Sequence, residues 1–176
     1  MRPDVPLLSV IGPILSHTPL YVWAILAALV AAGSLQWRTL RMTRARLLIA
    51  PIALGAFALW GVGNAFGMHA TVLGAWLGGM ALSLFVNRTL LRWPREVRLD
   101  GDAYVITGSP WPLVLMLATF ALRYAVAVTL VFHPDWRAQP AFAAEMALLY
   151  GVLAGLFTAR AVRILTSGPR ARLATA

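Results

Sequence analysis

The sequence predicts an all-α fold: an integral membrane bundle of five transmembrane helices, with a short cytoplasmic β-hairpin between helices 3 and 4. Three observations carry that reading. Sixty per cent of the 176 residues are apolar and only 12% are charged, a balance far from that of a water-soluble domain. The apolar residues gather into five runs, each close to the ~20 residues that one bilayer crossing requires. Apart from Arg123 in the middle of the fourth run, the arginines flank these runs or fall in their last turns, as orientation signals do.

Residues 1–17 hold Arg2 and Asp4 and are broken by Pro3, Pro6, Gly12 and Pro13, so they are expected to form an interfacial lead-in and not a span. The first span covers 18–35. Thr18 caps it, Pro19 occupies its first turn, and Tyr21 and Trp23 anchor its outer edge. Its positive cluster follows the apolar run, against the order of a signal peptide, so the segment is expected to stay uncleaved. Arg38, Arg41, Arg44 and Arg46 form a short basic loop before the second span, 47–63. A tight turn at 64–70 leads to the third span, 71–86, ended by Asn87, Arg88, Arg92 and Arg95.

Residues 96–109 are the one sizeable polar connection. Val97-Arg98-Leu99 and Tyr104-Val105-Ile106 alternate around Asp100-Gly101-Asp102, a hairpin signal whose plainer reading is a solvated surface turn. The fourth span is 113–132, the outer loop 133–140, the fifth span 141–165, and residues 166–176 a basic tail. The transmembrane domain as a whole is 18–165.

With the N-terminus outside, twelve arginines lie within (Arg38, Arg41, Arg44, Arg46, Arg88, Arg92, Arg95, Arg98, Arg160, Arg163, Arg170, Arg172) and two outside, Arg2 and Arg137. The positive-inside bias therefore predicts an outer N-terminus and a cytoplasmic C-terminus, and the protein is expected to sit in a bacterial inner membrane with its N-terminus periplasmic.

The inventory also excludes chemistry. The chain has no cysteine, and all fifteen of its basic residues are arginine, which removes disulfides, thiolate metal sites and lysine Schiff bases. A net charge of +9 would suit a nucleic-acid binder. The arginines flank membrane segments, however, and form no basic face interleaved with exposed aromatics, so no nucleic acid is expected. Phosphate loops, serine elbows and zinc-protease helices are absent, and enzyme activity is the reading with least support.

Arg123 is the exception to the flanking rule. It sits in the fourth span about ten residues, or roughly 15 Å, from either end. A charge at that depth costs at least ~2.5 kcal/mol to insert, so it must face the bundle or a wet cavity. The one acidic residue inside an apolar run is Glu145, offset by about 9 Å along the axis. Tyr124 and Tyr150 lie at similar depth to Arg123. These four residues are the candidate ligand-binding set, against the alternative of a structural ion pair between helices 4 and 5.

His17, His69 and His133 all fall at the outer boundary, near Met68 and Asp135. Their convergence could supply a divalent metal or haem site, the alternative being plain boundary and capping roles. Gly74-x-x-x-Gly78 and Gly151-x-x-x-Gly155 are small-residue packing motifs. They serve either contacts within the chain or a homo-oligomer or membrane-protein partner.

His17 to Ala24, Phe120 to Val126, and Leu149-Tyr150-Gly151 through Arg160 resemble an uncharacterised family of small proteobacterial inner-membrane proteins. More distantly, the arginine-bearing fourth helix after a polar hairpin is similar to membrane proteins grouped with the cytochrome c biogenesis protein CcdC. The resemblance implies that Arg123 and Tyr124 belong to the family's pattern and carries no reaction with it. Three functions remain: binding or transport of a small solute or ion at Arg123, a haem- or metal-associated redox or biogenesis subunit, and a structural or assembly partner.

Overall fold

A computed structural model describes residues 18–91, 93–94, 97–100 and 103–173. The expected lead-in at 1–17, with His17, lies outside these residues. Five α-helices run in order: α1 (Leu20–Ser34), α2 (Arg44–Phe66), α3 (Ala70–Val86), α4 (Trp111–Phe132) and α5 (Pro140–Leu173). Each belongs to a helical stretch long and apolar enough to cross a membrane. Strands β1 (Leu40–Met42), β2 (Val97–Asp100) and β3 (Ala103–Ile106) complete the chain.

Helix α5 is the axis of the bundle. Ala143, Ala147, Tyr150, Ala154, Phe157, Ala161 and Ile164 are all buried at alternating spacings of four and three, which lines one face of a helix. Because most of that seam is alanine, neighbours can approach closely. Helix α3 packs on it most extensively and α2 next, whereas α1 packs on α4.

The contact between α3 and α5 is made by glycines. A Cβ at Gly79 would meet the Leu148 carbonyl, one at Gly151 the Trp76 carbonyl, and one at Gly155 the backbone of Met80 at 2.8 Å. Ser83 seals the pair by donating to the Val152 carbonyl at 2.8 Å. The Gly151 and Gly155 motif is therefore used within the chain. Gly74 and Gly78 have nothing within 4 Å of an added Cβ, and Gly79 takes the packing role.

The hairpin at 96–109 forms, though its turn at 101–102 lies outside the described residues. It is also one strand larger than expected. Residues 40–42, read as basic loop, pair antiparallel with β3, giving the order β1-β3-β2. The reason is alternation: Leu40, Met42, Tyr104 and Ile106 share one face, with Tyr104 and Ile106 buried against Leu47, Ala161 and Ile164. Arg41 points to the other face and pairs with Asp100.

Helix α5 continues to Leu173, through the residues expected to form a tail, and its Ala161 and Ile164 support the sheet. Two further boundaries move. Helix α2 runs through Asn64 to Phe66 and stops at Gly67 (φ 81°), a left-handed position that glycine adopts without a Cβ penalty. Helix α3 ends in a π-turn, Asn87–Leu91. The bundle thus has a sheet end and a far end, the latter holding Gly67 to His69 and the 3-10 turn Pro134–Ala138.

Candidate functional site

Helices α2 and α4 both lie on α5 and touch each other little, which leaves a cleft between them toward the far end. Arg123 reaches across it from α4. Its guanidinium carbon lies 4.3 Å from the Phe57 ring centre and 5.0 Å from that of Trp60, the geometry of cation–π attraction. Phe57, Trp60 and Gly61 stand at i, i+3 and i+4 on α2, so they share one face. Gly61 supplies the space: a Cβ there would lie 2.6 Å from Arg123 Nη1.

Beyond the guanidinium is a cavity of about 260 Å³, lined by Gly61, Asn64, Ala65, Arg123, Val126, Ala127, Leu130, Val131, Arg137 and Tyr150. Two arginines converge on it, and among the described residues none that line it is acidic. Arg137 belongs to the far-end 3-10 turn, which a ring series holds in place. His133 stacks on Trp136 at 4.7 Å, Trp136 meets Phe142 at 5.2 Å, and Phe142 meets Phe66 at 5.7 Å.

The energetics of Arg123 are unbalanced within the chain. Two cation–π contacts offset on the order of 1–4 kcal/mol, enough to tolerate a charge among apolar helices. Yet Nη1 is buried and, among the described residues, has no hydrogen-bond partner. An unsatisfied buried donor costs about 1–3 kcal/mol, more when charged. Ring faces attract the cation but leave that N–H without an acceptor.

The candidate residues are divided by helix geometry. Tyr150, 3% exposed, lines the cavity with Arg123. Tyr124, one residue on from Arg123, is turned about 100° around α4; its hydroxyl lies 2.6 Å from Thr18 Oγ1 and its ring stacks on Phe120. It ties α1 to α4 and does not line the cavity. Glu145 is five residues from Tyr150, about 140° around α5, and is exposed beside Ala75 and Leu149 in a shallow apolar groove. Among the described residues no Arg123–Glu145 ion pair forms; the one ion pair there is Arg41–Asp100.

His69 precedes α3 and is exposed, with its ring against Gly67. His133 is stacked on Trp136. Among the described residues no group of three histidine or acidic side chains could hold a metal ion; His17 lies outside them.

The sequence reading missed Phe57, Trp60, Gly61, Asn64 and Arg137. The spacing of Phe57, Trp60 and Gly61 was a visible signal, whereas Arg137 was visible only as a loop charge. No curated protein and no solved structure matches the chain. Over residues 6–173 the chain matches DUF6622, a family of unknown function, which fits the expectation of an uncharacterised family, and the chain belongs to that family.

Proposed function

We propose that this protein resides in a bacterial inner membrane with its sheet in the cytoplasm, and binds a small anion in the cavity formed by Arg123, Arg137, Asn64 and Tyr150. The observation that carries the reading is the buried Nη1 of Arg123, which among the described residues has no partner and stands beside a second arginine with no lining carboxylate. A carboxylate, phosphate or halide would accept from Nη1 and offset part or all of the charge of the two guanidinium groups, and charge-assisted bonds of this kind are roughly twice as strong as neutral ones. The apolar wall of Val126, Leu130 and Val131 suits a small anion with an aliphatic part. The cavity opens in the far half of the bundle, which under the positive-inside bias is the periplasmic half. Transport is the extension of this reading, with the bound anion as cargo.

Calorimetric titration of the detergent-purified full chain with chloride, acetate and phosphate tests it. Arg123→Gln should weaken the best-bound anion at least tenfold, the effect of one charged hydrogen bond worth about 1.5–3 kcal/mol. Arg123→Lys should restore part of the affinity. Unchanged affinity in Arg123→Gln for every anion, with the variant folded, would overturn the proposal.

An assembly role is the second reading, favoured by Gly74 and Gly78, which face nothing among the described residues. If they seat another helix, Gly74→Leu with Gly78→Leu will reduce the particle mass in detergent; an unchanged mass removes that reading.

A further inference from the structure

At the sheet end a second groove, of about 730 Å³, runs between α3 and α5. Its walls at membrane depth are apolar: Leu84, Phe85 and Val162, the last two exposed by 65% and 46%. Its polar end holds Arg88, Arg163 and Thr166. Each arginine is set by a local structure. The π-turn carries Arg88, and Asn87 clamps that turn by donating to the Trp93 carbonyl (3.1 Å) and accepting from the Trp93 N–H (3.2 Å). Arg163 donates through Nε to the Pro94 carbonyl at 3.0 Å, which fixes the plane of its guanidinium.

Two arginines thus line the polar end of a groove whose lining, among the described residues, contains no carboxylate. Like charges held in one groove favour a counterion, and basic pockets between membrane helices recruit anionic headgroups. The apolar walls below them match an acyl chain. We infer that this groove is a binding site for an anionic phospholipid, with the phosphate between Arg88 and Arg163 and an acyl chain along Phe85 and Val162. The occupant is a lipid and not free phosphate, because most of the groove is apolar and opens at membrane depth. The site is separate from the Arg123 cavity and does not depend on it.

Native mass spectrometry of the full chain, with phosphatidylglycerol or phosphatidylcholine added in detergent, tests the inference. Arg88→Gln with Arg163→Gln should lower phosphatidylglycerol affinity about thirtyfold, two juxtamembrane charges together. Arg44→Gln with Arg46→Gln removes the same charge from the same end of the bundle and should leave affinity within about twofold of wild type. Because Arg163 also holds the Pro94 loop, Val162→Trp is a second variant: it fills the apolar wall, keeps both charges, and should also weaken binding. Three results would overturn the inference: equal loss in the two arginine pairs, phosphatidylcholine bound as well as phosphatidylglycerol, or displacement of the lipid by millimolar inorganic phosphate.

Discussion

Arg123 places a guanidinium deep in the apolar run of α4. Its charge is held by the rings of Phe57 and Trp60, and its Nη1 is buried without an acceptor among the described residues. Gly61 is the residue that makes the position possible, so Gly61→Leu is expected to push the guanidinium out of the cavity. The measured outcome should be at least tenfold weaker anion binding with helical content unchanged by circular dichroism, since only the tip of a flexible side chain must move. Tyr124 gives the contrasting case. Tyr124→Phe removes the hydroxyl that meets Thr18 and should lower unfolding stability by about 1 kcal/mol while leaving anion affinity unchanged.

At the scale of elements, the α3–α5 seam carries the fold. Gly79, Gly151 and Gly155 admit backbone against backbone, and any larger residue must separate the helices. Gly151→Val should therefore destabilise the protein by at least about 1–3 kcal/mol, the usual effect of overpacking, whereas Gly74→Val, facing open space, should be near neutral. Thermal unfolding in detergent distinguishes the two. The sheet makes a parallel case: Tyr104, 1% exposed, fills the space between β3 and α5, and Tyr104→Ala should cost about 3–5 kcal/mol, as for other buried aromatics. The hairpin was legible from its alternation, but β1 was not. Three residues, Leu40–Met42, are too short for a period, and their place in the sheet depends on β3, more than sixty residues away. Gly79 was hidden for a related reason. In a helix apolar on every side, neither spacing nor hydropathy says which glycine faces a partner.

For the whole molecule, the number of helices followed from run length, because a backbone shielded from water must bond within its own helix. Their limits did not: α2 runs over Arg44–Phe66 and α5 over Pro140–Leu173. Arg123 was legible, as a charge inside an apolar run. Its surroundings were not: Arg137 reaches the cavity only because the rings of His133, Trp136, Phe142 and Phe66 fold the far-end turn over it. Glu145 seemed a natural partner by depth, yet rotation around α5 carries it away, and depth is the one coordinate a span reveals. The absence of cysteine allows a clean test of orientation. A single cysteine replacing Gln139 should react with an impermeant maleimide in intact cells with opened outer membranes, and one replacing Arg46 only after lysis; the reverse pattern would invert the topology.

The account depends most on an anion between Arg123 and Arg137. Crystals of the full chain grown with bromide or bromoacetate address this directly through bromine anomalous scattering. The account predicts a peak in the cavity within hydrogen-bonding reach of Arg123 Nη1. A cavity without bromine, in which Nη1 donates instead to a water or a protein carbonyl, would contradict it.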